Sequence, residues 1–343
     1  MRGRRMSGDN LPGTPGKERA GYIGRLAPSP TGAQHVGNAR TFLLAWLAAR
    51  AHHGRLILRM EDIDSPRIKA GAAQQTLEDL RWLGLDWDAG PDTPAQSGES
   101  QTSYVQTERI ALYEQALEQL KQRELVYPCT CSRSEVAAAA SAPHAGQEGP
   151  RYPGTCAGNS AATANKLPPG TFAWRLRSTA KQRTLHDGVA GEVHCNVSAE
   201  LGDFVVAKAD GTPAYQLAVV VDDHEMGITE VVRGNDLLPS AFRQCELYDC
   251  FGWLPPRFVH VPLVVGEDGR RLAKRHGDTR LATLRAQGVS NTALVGLLAW
   301  SCGLRADSAP VTPQELLVDF AWDKVPRGAF TFTAAMHDEL RRV

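Results

Sequence analysis

Three groups of side chains have types and spacings suited to chemistry. The first lies in the stretch from Arg25 to Asn38, RLAPSPTGAQHVGN. A Pro/Gly-rich turn there opens onto a helical pattern that begins at His35. The start of a helix presents N–H donors and partial positive charge, which suits a phosphate. Gly37 carries no side-chain bulk, so a flat ring or a phosphate can come close to the backbone. An ordinary strand–turn–helix connection has the same spacing. The second group is Arg270, Arg271, Lys274 and Arg275, with His276 and Gly277 after them. Such a cluster on a loop forms a local anion site, although a solvated basic loop reads the same way. The third group is Cys129 and Cys131, one residue apart, with Cys156 downstream in a Pro/Gly-rich stretch. These three thiols have zinc-site character and leave one tetrahedral position open, for which His144 is chemically reasonable. Three reduced structural cysteines are the alternative. Cys195, Cys245, Cys250 and Cys302 lack such spacing and read as small buried hydrophobes.

The elements that must position these groups follow an α/β pattern. Residues 22–27 read as a strand feeding the turn at 28–32. From His35 to about His53 the apolar residues fall at helical spacing (Phe42, Leu43, Trp46, Leu47), and Gly54 stops the helix. Residues 55–60, RLILRM, form a compact buried-strand candidate, and a helix over 70–83 ends at Gly84. Strand, helix, strand, helix is the order of a parallel α/β sheet. Residues 101–126 read as an amphipathic helix with Ile110, Leu112, Tyr113, Leu117 and Leu120 on its apolar face. Composition then shifts: 128–170 are rich in Ala, Gly, Pro, Ser and Cys, as expected of an inserted module. The pattern resumes with strands expected at 215–223 (YQLAVVVDD), 228–232 and 259–265, the last before the turn 266–269. The tail, 286–343, reads as mostly helical and polar.

Composition bounds the class. The chain has 343 residues, 42% of them hydrophobic, and its 38 Lys and Arg balance 38 Asp and Glu. Bulk charge therefore does not announce a nucleic-acid partner, and any such partner must meet a local basic patch. No apolar run approaches the roughly 20 residues that cross a bilayer. The basic start has no apolar stretch behind it and does not read as a secretory signal. Residues 1–20 are expected to form a disordered arm. Seven cysteines, an odd number, argue for a reducing compartment, so a cytoplasmic location is expected.

Taken together, the motifs resemble those of class I aminoacyl-tRNA synthetases of the glutamyl type. The RLAPSPTG lead-in and His35-Val-Gly-Asn38 resemble the HIGH signature, and Arg271-Leu-Ala-Lys274-Arg275 resembles the KMSKS loop. Between them, in family order, lie the stretches 59–64 (RMEDID), 215–224 (YQLAVVVDDH) and 232–238 (VRGNDLL). The resemblance spans roughly 21–290. The sequence departs from the strict signatures at Asn38, Arg271 and Ala273. Asn still donates a hydrogen bond and Arg still binds phosphate.

The resemblance implies a Rossmann-like class I catalytic domain with a zinc-type insertion and a short C-terminal helical subdomain. The expected division is an arm at 1–20, a first catalytic half at 21–126, the insertion at 127–200, a second half with the KMSKS-like loop at 201–285, and the helical subdomain at 286–343. It also implies an ATP-dependent ligase that activates L-glutamate. His35 and Lys274 would be catalytic and would bind ATP together with Gly37 and Asn38, and Mg²⁺ would accompany the nucleotide. Arg25 and Arg233 would answer carboxylates, Glu61 the ammonium, and Tyr215 would close the pocket. Leu26, Ala27, Pro28 and Ser29 would line it. In the glutamyl-Q branch of the family, tyrosine completes the zinc site, which makes Tyr152 the fourth ligand beside Cys129, Cys131 and Cys156. Of the 343 residues 68 follow Arg275, few for a long anticodon-binding domain, which favours that branch. Its members transfer glutamate to queuosine in the anticodon loop of tRNA(Asp), and a monomer is expected. A truncated enzyme charging a tRNA 3′ end and a non-catalytic synthetase paralogue are the alternatives.

Overall fold

The computed structural model describes residues 21–30, 33–63, 70–94, 103–139, 151–270, 272 and 278–342. The expected arm at 1–20 lies outside them, as do His144, Arg271, Lys274 and Arg275. Strand β1 (Ile23–Leu26) runs into helix α1 (Val36–Ala51), which returns the chain to β2 (Arg55–Leu58), parallel to β1. A parallel pair requires such a crossover. Residues on all sides of α1 are buried, including Leu43, Leu44, Leu47 and Ala48, as befits a helix apolar all round. Even Arg40, 1% exposed, is taken inside. Its guanidinium donates to the Pro262 carbonyl at 2.6 Å, to the Ser301 hydroxyl at 3.0 Å and to the Ser301 carbonyl at 3.1 Å. Helices α2 (Ala72–Trp82) and α3 (Ile110–Gln122) follow.

Among the described residues of 126–207 the strands pair antiparallel. Strand β3 (Val126–Cys129) leads to the short helix α4 (Arg133–Ala139), then to β4 (Ala173–Leu176), β5 (Gln182–Asp187), β6 (Gly191–Asn196) and β7 (Phe204–Ala207). Strand β4 pairs with β3 and β7, while β5 and β6 form a separate hairpin. The antiparallel ladder thus runs on to Ala207, past residue 200.

Helix α5 (Tyr215–Glu225) then leads into β8 (Glu230–Gly234), α6 (Leu238–Phe251) and β9 (Arg257–Val261), parallel to β8. The Thr229 N–H donates to the Ile23 carbonyl at 2.8 Å, and β1 and β8 lie side by side. Strand β10 (Val264–Val265), helices α7 (Leu281–Ala286) and α8 (Asn291–Ser301), β11 (Phe330–Thr331) and α9 (Ala334–Leu340) complete the chain. No helix among the described residues is long and apolar enough to cross a membrane.

Four expectations are corrected. Residues 215–223 are the helix α5, not a strand. Leu217, Ala218, Val220 and Val221 pack with α3, β3 and β7 in one cluster, so the helix is buried broadly and its sequence reads as a continuous apolar run. The strand expected over 259–265 breaks at Pro262, which has no N–H for the ladder; β9 ends at Val261 and β10 pairs instead with β11. The helix expected over 101–126 begins only at Ile110, because Met60 and Val105 form a parallel bridge and Gln106–Glu108 make a single tight turn. The tail is not simply polar and helical: α8 is almost wholly buried, with Leu294, Leu297 and Leu298 in the same core as α1.

Candidate active site

A cavity of about 530 Å³ opens at the carboxyl ends of β1, β2 and β8. Open parallel sheets place ligands there, because loops and helix N-termini converge at that edge. Arg25 on β1, Ala27, Pro28 and Ser29 after it, Glu61 after β2, Tyr215 at the start of α5 and Arg233 on β8 all line it. His35, Gly37 and Asn38 line it as well. Leu26 does not. Its side chain is fully buried in the core, and its carbonyl accepts the Arg59 N–H at 2.8 Å. The alternation of side chains along a strand sends Arg25 and Leu26 to opposite faces. Asp236, Thr41, Phe42 and Leu263 also line the cavity, though sequence reasoning did not single them out. Asp236 sits in the quoted 232–238 stretch; the other three carry no local signal.

Buried charges hold the cavity floor. Arg59, with no solvent exposure, donates to Asp223 at 2.7 Å and to Glu61 at 2.9 Å, and its Nε lies 3.6 Å from Asp222. Asp222 in turn accepts from Arg109 at 2.6 Å and from Gln106 and Tyr113 at 2.9 Å. Arg25 donates to the Val232 carbonyl at 2.9 Å, with its Nε 3.8 Å from Asp223. Burial lowers the Arg25 pKa, opposed by Asp223. Burial raises that of Glu61, opposed by the Arg59 and Arg25 cations. Burial likewise raises Tyr215, so its phenol keeps its proton at neutral pH. The cavity therefore offers two arginines, a carboxylate and a phenolic hydroxyl, both signs of charge in one place.

The start of α1 differs from the expectation of open N–H donors. His35 is the N-cap, and its Nδ1 accepts the N–H groups of Gly37 at 3.1 Å and Asn38 at 3.4 Å. Asn38 reciprocates by accepting the His35 N–H at 3.3 Å, a capping box. The Val36 N–H donates to the Thr279 carbonyl at 3.0 Å. With Nδ1 accepting, the ring proton resides on Nε2. An anion here would meet the imidazole and the helix dipole rather than bare amides. Gly37 leaves room for His35: a Cβ at residue 37 would lie 3.0 Å from the His35 Cε1, so the ring would have to give way slightly.

The three cysteines meet at a second place. The sulfurs of Cys129, Cys131 and Cys156 all lie within 4.8 Å of one another. Cys131 and Cys156 are 3.6 Å apart, and the Tyr152 hydroxyl is 3.3 Å from Cys129 and 3.8 Å from Cys131. Zinc–sulfur bonds of about 2.3 Å in a tetrahedron imply sulfur–sulfur edges of about 3.8 Å. Three thiols and a phenol at these separations fit zinc. The Arg175 guanidinium donates to Cys129 at 3.2 Å and stacks 3.9 Å from the Tyr152 ring centre.

Comparison with known proteins places the chain in a family. The model of the class I tRNA synthetases (E and Q), catalytic domain, matches residues 23–332. The chain is 49% identical over 323 residues to a glutamyl-Q tRNA(Asp) synthetase of Rhodopirellula baltica, covering 88% of this chain and 94% of that one. It is 48% identical to one from Symbiobacterium thermophilum, covering 89% and 94%. A crystal structure of a glutamate tRNA ligase from Elizabethkingia meningosepticum in complex with its amino acid superposes with a TM-score of 0.77 at 28% identity, over 94% of this chain and 69% of that one. The chain belongs to the class I tRNA synthetases of the E and Q type and, within them, to the glutamyl-Q tRNA(Asp) synthetases.

Proposed function

We propose that the protein activates L-glutamate with ATP and transfers it to queuosine in the anticodon loop of tRNA(Asp). The observation that carries the pocket assignment is the joint presence of Arg25, Arg233, Glu61 and Tyr215 around one cavity with the N-terminus of α1. Glutamate brings two carboxylates and an ammonium. A planar guanidinium suits a carboxylate, and Glu61 suits the ammonium. In activation, an α-carboxylate oxygen bonds to the α-phosphorus of ATP and the bond to pyrophosphate breaks. In transfer, a hydroxyl of the modified base attacks the activated carbonyl and AMP leaves. The protein aligns two anions and stabilises charge growing on the phosphoryl oxygens. His35 acts there from the capped end of α1, with Gly37 and Asn38 shaping the approach. Lys274, in the KMSKS-like stretch of the sequence, supplies the cation, and Mg²⁺ accompanies ATP.

Cys129, Cys131, Cys156 and Tyr152 would hold zinc, which would cross-link its module and take no part in the reaction. Ala27, Pro28 and Ser29 contribute the wall beside Glu61; the Ser29 hydroxyl already donates to the Glu61 carbonyl at 3.0 Å.

The test uses labelled glutamate and three RNAs: tRNA(Asp) with queuosine, the same tRNA without it, and the modified tRNA lacking its 3′ adenosine. Label is expected on the first and third only. Label that depends on the 3′ adenosine, or that appears on tRNA(Glu), would establish a charging enzyme instead.

A further inference from the structure

Behind Arg233 stands a pair of residues that the proposed reaction does not use. His260 on β9 and Asp187 at the end of β5 have side chains with no solvent exposure. The Arg233 Nε donates to His260 Nε2 at 3.0 Å, and His260 Nδ1 lies 2.7 Å from the Asp187 carboxylate. An arginine Nε is only ever a donor. His260 Nε2 must therefore accept, the ring proton must sit on Nδ1, and Asp187 must receive it. The three groups together dictate the tautomer. Asp187 is itself pinned by the N–H groups of Val189 at 3.0 Å, Ala190 at 2.8 Å and His260 at 3.1 Å.

The charges agree with this order. Burial lowers the His260 pKa, with Asp187 pulling it up and Arg233 pushing it further down, so the ring is neutral. Burial would raise Asp187, but the His260 contact and the backbone N–H groups hold it below the ordinary carboxylate range. With Nε engaged behind, the Arg233 fork has its Nη1 3.5 Å from the Tyr215 hydroxyl. Its buried Nη2 has no hydrogen-bond partner among the described residues. An arginine whose rear edge is satisfied and whose front edge borders a cavity is preorganised for an anion.

We propose that Asp187 and His260 are positioning residues that lock the Arg233 fork and thereby set the affinity for the anionic amino acid. This rests on the reading of Arg233 as a carboxylate-binding group. Asp187 belongs to the β5–β6 hairpin, so the seating of that hairpin is coupled to the amino-acid pocket. If the hairpin shifts away, His260 loses its proton acceptor and Arg233 loses its register.

Asp187→Asn is the sharpest test, because it keeps the shape and the amide contacts but offers His260 a donor. The ring would then carry its proton on Nε2, donor against donor with Arg233, as in a mis-set catalytic tautomer. The glutamate KM in ATP–pyrophosphate exchange, with tRNA(Asp) present, should rise about tenfold to a hundredfold, the effect of a buried donor left unpaired. The KM for ATP should barely move. His260→Gln can place an acceptor near the Nε2 position and should be milder than His260→Asn, which cannot reach Arg233. In a double-mutant cycle, Asp187→Asn should add nothing to Arg233→Gln. An unchanged glutamate KM in Asp187→Asn, an equal rise in the KM for ATP, or additivity in the cycle would overturn the lock while leaving the pocket assignment standing. An unchanged glutamate KM in Arg233→Gln would overturn the pocket assignment and the lock with it.

Discussion

The cavity at the strand ends and the cysteine module are both polar clusters, yet they are held by different means. Around the cavity, Arg25, Arg59, Arg109 and Arg233 are at most 5% exposed, and each lies against a buried partner: Asp223, Asp222 or His260. These residues sit on or just after strands, at the start of α3 and on α5. The cysteine module has a small core of its own: Tyr127, Cys129, Val136 and Tyr152 are its buried apolar members. Around the cavity the charges are pre-paired on rigid elements. A module with little apolar area gains the more from any ion that its three sulfurs and phenol would hold.

The largest effect that would break the comparison belongs to Arg25. Arg25→Gln removes one buried cation from beside Asp223 and one fork from the cavity. Glutamate use should fall by about a hundredfold, on the order of 3 kcal/mol, while the KM for ATP changes little. Equal loss for both substrates in pyrophosphate-exchange assays would place Arg25 in the fold or the nucleotide site. Next comes Cys156→Ser. Metal analysis should show loss of about one zinc per chain, and limited proteolysis should cut first between 130 and 170. Survival of stoichiometric zinc in that variant would remove the sulfur from the site. Glutamate activation should outlast this damage, because the cavity is not built from the cysteines.

Gly37→Ala should have a moderate effect. A methyl group 3.0 Å from the His35 ring must displace it, at a cost of about 1 kcal/mol, and ATP use should suffer more than glutamate use. A variant with unaltered ATP kinetics would show that His35 does not need its capped position. The smallest effect is expected of Tyr152→Phe. It removes one hydroxyl, so zinc affinity should drop roughly tenfold with the module still folded. Competition with a chromophoric chelator measures this directly; unchanged affinity would exclude the phenol as a ligand.

Much of the site was legible because its signals are short-range. Arg25, Ala27, Pro28, Ser29, His35, Gly37 and Asn38 lie in one strand–turn–helix stretch, and Glu61 follows the next strand. Cys129 and Cys131 are adjacent in spacing, and Tyr152 and Cys156 are one turn apart. Leu26 was misjudged because a continuous stretch was taken whole, whereas a strand sends successive side chains to opposite faces. The helix at 215–225 was misjudged for a different reason. Three consecutive valines favour a strand, but burial on most sides gives a helix the same apolar run.

What the sequence by itself determined is local: the strand–turn–helix run from Arg25 to Asn38 and the thiol spacing. Each rests on contacts within a few residues, where chain geometry leaves few options. Only the tertiary structure decided that Asp187 and His260, 73 positions apart, would meet behind Arg233. It also decided that Arg40 would be buried against Ser301, 261 positions away. The physical reason is that a polar side chain carries no periodic signature of its partner. An aspartate destined for a buried histidine and one destined for solvent read alike until packing removes the water from one of them.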